Sequence, residues 1–184
     1  MTRHRRHRPA RRDALAMLEQ DHARIAALFD RLAAGDGAHP QELVRLAAEA
    51  CAALEVHSQL EEDLFYPAVR HEIADRDCLE DGAVEHRTID ALAEELRGTA
   101  PADAAFAATA RVLAEQLRHH IGKEERRVFP QVRRAALDLA GLGEQLRNRQ
   151  AEILAQRTPA WSNGAGVQRV RPAPPTRYPG FAPF

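Results

Sequence analysis

Cysteine is scarce in this chain: two residues, Cys51 and Cys78, in 184. Their spacing matches no zinc or redox motif, and two thiols do not build a disulfide framework. Both are expected to be buried or semi-buried thiols in a reducing compartment. Long apolar runs are also missing, and none approaches the ~20 residues that a membrane span needs. The basic N-terminus carries no apolar stretch before a cleavage site, so it does not read as a secretory signal, and a cytoplasmic location is expected. Aromatics are sparse at 5%, and β-branched residues are few, which disfavours a sheet protein. No sign of charge dominates either. The formal net charge is -1, so the chain as a whole is no polyanion binder.

Alanine, leucine, arginine and glutamate are abundant, and this composition favours helix. The length suits one domain with tails. Residues 1–11 form a basic arm, and Arg3, Arg5, Arg6, Arg8, Arg11 and Arg12 stand with no acid among them. The arm lacks interleaved aromatics, and a solvated, disordered segment is expected in preference to a nucleic-acid contact. Residues 12–140 carry the periodicity of four helices, beginning near Arg12, Gln41, Leu79 and Ala102, with the fourth reaching about Ala140. Gly35, Gly37 and Pro40, then Gly98 and Pro101, break the pattern between helices. Pro67 falls near the end of the second helix, where it kinks the helix or stops its regular hydrogen bonding. Residues 141–157 read as an additional helix. Residues 158–184 are a Pro/Gly/Arg-rich tail, in which Tyr178, Phe181 and Phe184 offer a docking element for a second copy of the chain. The expected fold is all-α: an antiparallel up-down-up-down four-helix bundle with a short extra C-terminal helix and disordered tails.

An internal repeat is the most informative feature. LEVHSQLEEDLFYPAV (54–69) aligns with LRHHIGKEERRVFPQV (117–132) at an offset of 63, and DHARIAALFDRL (21–32) aligns with EHRTIDALAEEL (85–96) at an offset of 64. The bundle is thus written as two similar helix pairs with approximate two-fold symmetry.

The core stripes show what the repeat carries. Leu15, Leu18, His22, Ile25 and Phe29 share one face of the first helix. Leu54, His57, Glu61 and Phe65 share one face of the second. Leu79, Gly82, His86 and Ile89 follow on the third, and Leu117, His120, Glu124 and Val128 on the fourth. Every step is three or four residues. Each stripe is apolar except at one level, where every helix offers a histidine and two helices add a glutamate one turn later. A carboxylate in an apolar core costs several kcal/mol unless paired or coordinated. Cations resolve that cost. Mixed imidazole and carboxylate without cysteine points to iron or manganese rather than zinc. Six ligands exceed one tetrahedral ion and suit two iron ions bridged by both glutamates and by an oxo or hydroxo group, with manganese as a substitute.

The order His22, His57–Glu61, His86, His120–Glu124, with Phe65–Tyr66–Pro67 and Val128–Phe129–Pro130 after the glutamates, resembles the hemerythrin-like, or HHE cation-binding, family over about residues 14–135. The resemblance implies a four-helix bundle with a di-iron centre that handles dioxygen, peroxide or nitric oxide. Oxygen-carrying members have a further histidine one turn after the third-helix ligand. Here that position is Asp90, so a more open iron is expected, or one completed by Asp90, Glu62, Glu125 or water. That departure favours a redox enzyme, either breaking down peroxide or oxidising a small molecule, over a protein that binds, stores or senses O2, NO or iron. No membrane partner is expected. Asp21 and Glu85 are candidates either to accept from imidazole N–H groups of neighbouring helices or to be plain helix-surface charges. Tyr66 is a candidate redox-active phenol or a core residue. His119 is a rival to His120, but the repeat aligns it with Val56. His39 and His71 lie off the stripe.

Overall fold

The computed structural model describes residues 13–35 and 39–157. The basic arm and the tail that carries Tyr178, Phe181 and Phe184 lie outside the described residues. Helix α1 spans Ala14–Ala33 and α2 spans Pro40–Leu60. A π-helical turn, Glu61–Phe65, continues α2 into α3, Tyr66–Val69. Helix α4 runs Asp77–Gly98 and α5 runs Ala104–Lys123. A second π-helical turn, Glu124–Val128, joins α5 to α6, Phe129–Val132. Helix α7 is Leu139–Arg157.

Local chemistry sets these boundaries. Asp13 caps α1 by accepting from the Ala16 N–H at 2.9 Å, and Asp103 caps α5 by accepting from the Ala105 N–H at 2.9 Å, satisfying donors that a helix start leaves open. Pro40 opens α2, where a missing N–H costs nothing. Pro67 and Pro130 each follow a π turn. There the Tyr66 N–H reaches back to the Glu61 carbonyl and the Phe129 N–H to that of Glu124, five residues away. The wide turn absorbs the break that proline imposes on the helical ladder.

One boundary differs from the sequence-based expectation. The fourth helix ends at Val132 instead of near Ala140, and the last helix starts at Leu139 instead of 141 or 142. Asp138 decides this, because its carboxylate accepts from the Gly141 N–H at 2.9 Å and starts a new helix. Helical residues on both sides of the break hide it from periodicity.

The four long rods pack as a ring in which α1 touches α2 and α5, and α4 touches α2 and α5. This is the up-down four-helix bundle. Helix α7 packs chiefly against α1, α2 and the first π turn. Leu142, Leu146 and Ile153 bury its inner face, and Arg149 pairs with Asp63 at 2.9 Å.

Two apolar clusters fill the interior. One gathers Leu15, Leu18, Leu60, Phe65, Phe129 and Val132 with the inner face of α7. The other gathers Ile25, Phe29, Leu54, Ile89, Leu113 and Leu117. Between them in every long helix lies one polar level. Cys51 and Cys78 are buried free thiols.

Candidate metal centre

The polar level consists of His22, His57, His86, His120, Glu61 and Glu124, all nearly inaccessible to solvent. Each arrives there by helical spacing. His57 and Glu61, like His120 and Glu124, are four residues apart and share a face. The side chains converge on a common point from four rods.

The carboxylate of Glu61 is central. Its Oε1 lies 3.6 Å from His22 Nε2 and 3.3 Å from His57 Nε2. Its Oε2 lies 3.3 Å from His86 Nε2 and 3.9 Å from His120 Nε2. One oxygen thus serves each histidine pair. Glu124 Oε2 stands 3.2 Å from His22 Nε2 and 3.7 Å from His120 Nε2. Its Oε1 accepts the Tyr66 phenol hydrogen at 2.7 Å. Two donor groups result, His22–His57–Glu61–Glu124 and Glu61–His86–His120, each with ligand atoms within 4.8 Å of one another.

The donor atoms themselves test whether cations fit. Among the described residues, His22 Nε2, both nitrogens of His57, both oxygens of Glu61 and Glu124 Oε2 are buried without a hydrogen-bond partner. Buried polar atoms are rarely left so, because each costs about 1–3 kcal/mol. His86 and His120 sharpen the point. Their Nδ1 atoms lie 2.9 Å from Glu62 and Glu85, so each Nδ1 carries the proton and donates it. In the neutral rings both Nε2 atoms then present lone pairs to each other at 3.0 Å. A cation between these two nitrogens would accept both lone pairs. The set fits metal ions.

Without a cation the site compensates with protons. Burial opposes charge on His22, but Glu124 and Glu61 prevail and raise it to about 11. Against the same burial, Glu61 and Glu62 raise His86 to about 10. Burial pushes His57 down to about 3 despite Glu61 beside it. Glu61, although buried, is held well below the usual carboxylate range by His57 and the other imidazoles. The centre keeps its carboxylate anionic and asks for positive charge.

The surrounding residues repeat with the fold. Glu125 meets His22 Nδ1 at 2.9 Å, as Glu62 meets His86 in the other half. Phe129 stacks on His22 at 5.6 Å and Tyr66 on His86 at 5.7 Å. Glu62, Glu125 and Glu85 thus fix imidazoles and stay outside the donor groups. Asp90 is exposed and contributes no atom to either group. Asp21 does not follow Glu85. It faces a cavity of about 330 Å³ lined by α1, α2 and α7, with Gln150 3.5 Å away. Its side chain is one methylene shorter than that of Glu85, and α7 supplies it a different partner. His119 is 69% exposed, while His120 points inward.

Lys123 is the residue that the stripe does not reveal. It is buried, and its Nζ donates to Glu85 Oε1 at 2.7 Å. The repeat alignment held the signal, since a lysine stands where the first copy has Leu60.

Known proteins share this fold. The hemerythrin HHE cation binding domain matches residues 13–132. The crystal structure of a hemerythrin HHE cation binding domain-containing protein from Mycobacterium kansasii is similar in fold, with a TM-score of 0.66 and 24% identity, covering 78% of this chain and 88% of that one. No curated protein matches the chain. By the extent of the domain match, with a buried His/Glu cluster at its centre, the chain belongs to the hemerythrin HHE cation-binding family.

Proposed function

We propose that His22, His57, Glu61, His86, His120 and Glu124 hold two iron ions, and that the centre is a redox enzyme acting on peroxide, or on a small molecule with O2 or peroxide as oxidant. The observation that carries this reading is Glu61, whose two oxygens face two separate histidine pairs and have no hydrogen-bond partner among the described residues. Manganese shares the carboxylate part of this preference and is the natural substitute.

The iron pair supplies redox chemistry when bound. The protein's own residues do the rest. Glu125, Glu62 and Glu85 hold Nδ1 of His22, His86 and His120, which turns each Nε2 inward. The two apolar clusters exclude water from the level between them. Tyr66 holds a proton on its phenol oxygen against Glu124, because burial and the nearby carboxylates keep that phenol well above its usual range. A small oxidant bound here meets a proton donor and no bulk solvent. Among the described residues the second donor group gathers three side chains, and Asp90 is not one of them. An incomplete ligand set favours turnover over stable carriage.

Metal analysis with steady-state peroxide consumption tests the reading. Two equivalents of iron per chain and turnover that depends on them are expected. One equivalent defeats the di-iron reading. A stable, reversible oxygenated spectrum without turnover favours binding or sensing of O2 or NO.

A further inference from the structure

The two copies of the repeat are not equally furnished around their histidines. In the second copy, His120 Nδ1 is held by Glu85 Oε2 at 2.9 Å, and Glu85 Oε1 is held by Lys123 Nζ at 2.7 Å. Lys123 reaches outward to Asp81 at 3.8 Å, an exposed carboxylate. In the first copy, the residues at the same positions are His57, Asp21 and Leu60. His57 Nδ1 is buried with no hydrogen-bond partner among the described residues, Asp21 turns to the α7 side, and Leu60 packs in the core.

A buried ammonium is costly, and only its pairing with carboxylate recovers the loss. The bundle does not need one at this position, because Leu60 fills the equivalent place with no exposed surface. The charge at Lys123 therefore serves its partner. A carboxylate on the far nitrogen of a metal-ligating histidine fixes the ring and raises its basicity, and a cation beside that carboxylate moderates the effect. His120 has both devices and His57 has neither.

We propose that Lys123 is a positioning residue which, acting through Glu85 on His120, tunes the metal position of His86 and His120 and adds to the difference that the unequal donor groups already make. The position of His86 and His120 is set by a Lys–Glu–His chain, and that of His22 and His57 lacks its counterpart. This inference rests on the di-iron reading above.

The test is Mössbauer spectroscopy of the full chain loaded with 57Fe, with iron counted per chain. Two doublets of equal area are expected. Glu85→Gln and Lys123→Leu should both move the same doublet and leave the other in place, with release of that one iron to a chelator faster by about 10–100-fold. Lys123→Arg, which keeps the cation, should restore the parent spectrum. Should Lys123→Leu not fold, Lys123→Gln, which keeps a donor without the charge, carries the same test. Two irons with a single doublet overturn this inference and spare the di-iron reading. Fewer than two irons in the parent chain overturn both. A folded, fully loaded Lys123→Leu or Lys123→Gln protein with an unchanged spectrum assigns Lys123 to packing alone and overturns the proposal.

Discussion

Tyr66 donates its phenol hydrogen to Glu124 Oε1 at 2.7 Å, joining a residue of the first repeat to a carboxylate of the second. The repeat places Phe129 where Tyr66 would recur, so Glu61 receives no such bond. Tyr66→Phe should therefore fold, since the bundle already accepts phenylalanine in that setting. Its stability should fall by about 1.5–3 kcal/mol, the usual value of a hydrogen bond to a charged group. Iron content should hold at the parent level while peroxide turnover drops. Unchanged turnover at full iron loading would remove Tyr66 from the proton-holding role.

Gly82 makes that tyrosine possible. A Cβ at this position would stand 2.9 Å from the Tyr66 phenol oxygen. Gly82→Ala should cost about 1–3 kcal/mol in chemical denaturation, as overpacked cores do. Combining it with Tyr66→Phe, which removes the clashing oxygen, should recover most of that loss. Simple additivity of the two changes would contradict the contact.

Glu61 and Glu124 should differ in what their loss does. Glu61 belongs to both donor groups and Glu124 to one. Glu61→Gln should weaken both positions and bring bound iron below one equivalent. Glu124→Gln should spare one. Metal analysis after gel filtration separates these outcomes, and equal losses would argue against Glu61 as the shared bridge.

Metal removal should destabilise the fold. Ions that bind only the folded chain add about 2.7 kcal/mol at a free concentration 100 times their Kd. For a domain of this size that corresponds to a rise in Tm of about 5–10 °C on loading. Calorimetry with and without a chelator measures it. A Tm indifferent to iron would speak against a buried site.

Burial pushes the Cys51 thiol up to about 11. The thiolate is the reactive form, so at pH 8 only about a thousandth of the folded protein presents it. Alkylation of Cys51 should be slow at pH 8, rise about tenfold per pH unit towards 11, and accelerate sharply on unfolding. Mass spectrometry of the alkylated chain follows this directly.

The sequence made some of these features legible and concealed others. His22, His57, Glu61, His86, His120 and Glu124 could be read because each interrupts an otherwise apolar stripe at a fixed helical phase. The ring of four rods followed from the same stripes. The end of the fourth helix was concealed, because Arg133, Arg134 and Ala135 suit a helix as well as a turn, and Asp138 acts only through its capping bond. The differing roles of Asp21 and Glu85 were hidden too. They align in the repeat, and only the position of α7 and one methylene of length separate them. The π turns leave no periodic trace beyond the proline that follows each.

Those π turns set a requirement for anyone building such a site into an artificial scaffold. One residue added within a helix rotates everything after it by about 100°. Both insertions fall directly after the glutamate and before the aromatic residue. An idealised bundle with the same six donors but unbroken α-helices would swing Tyr66 and Phe129 out of line with their imidazoles. The spacer residue, absent from any ligand roster, is what a designer must copy along with the donors.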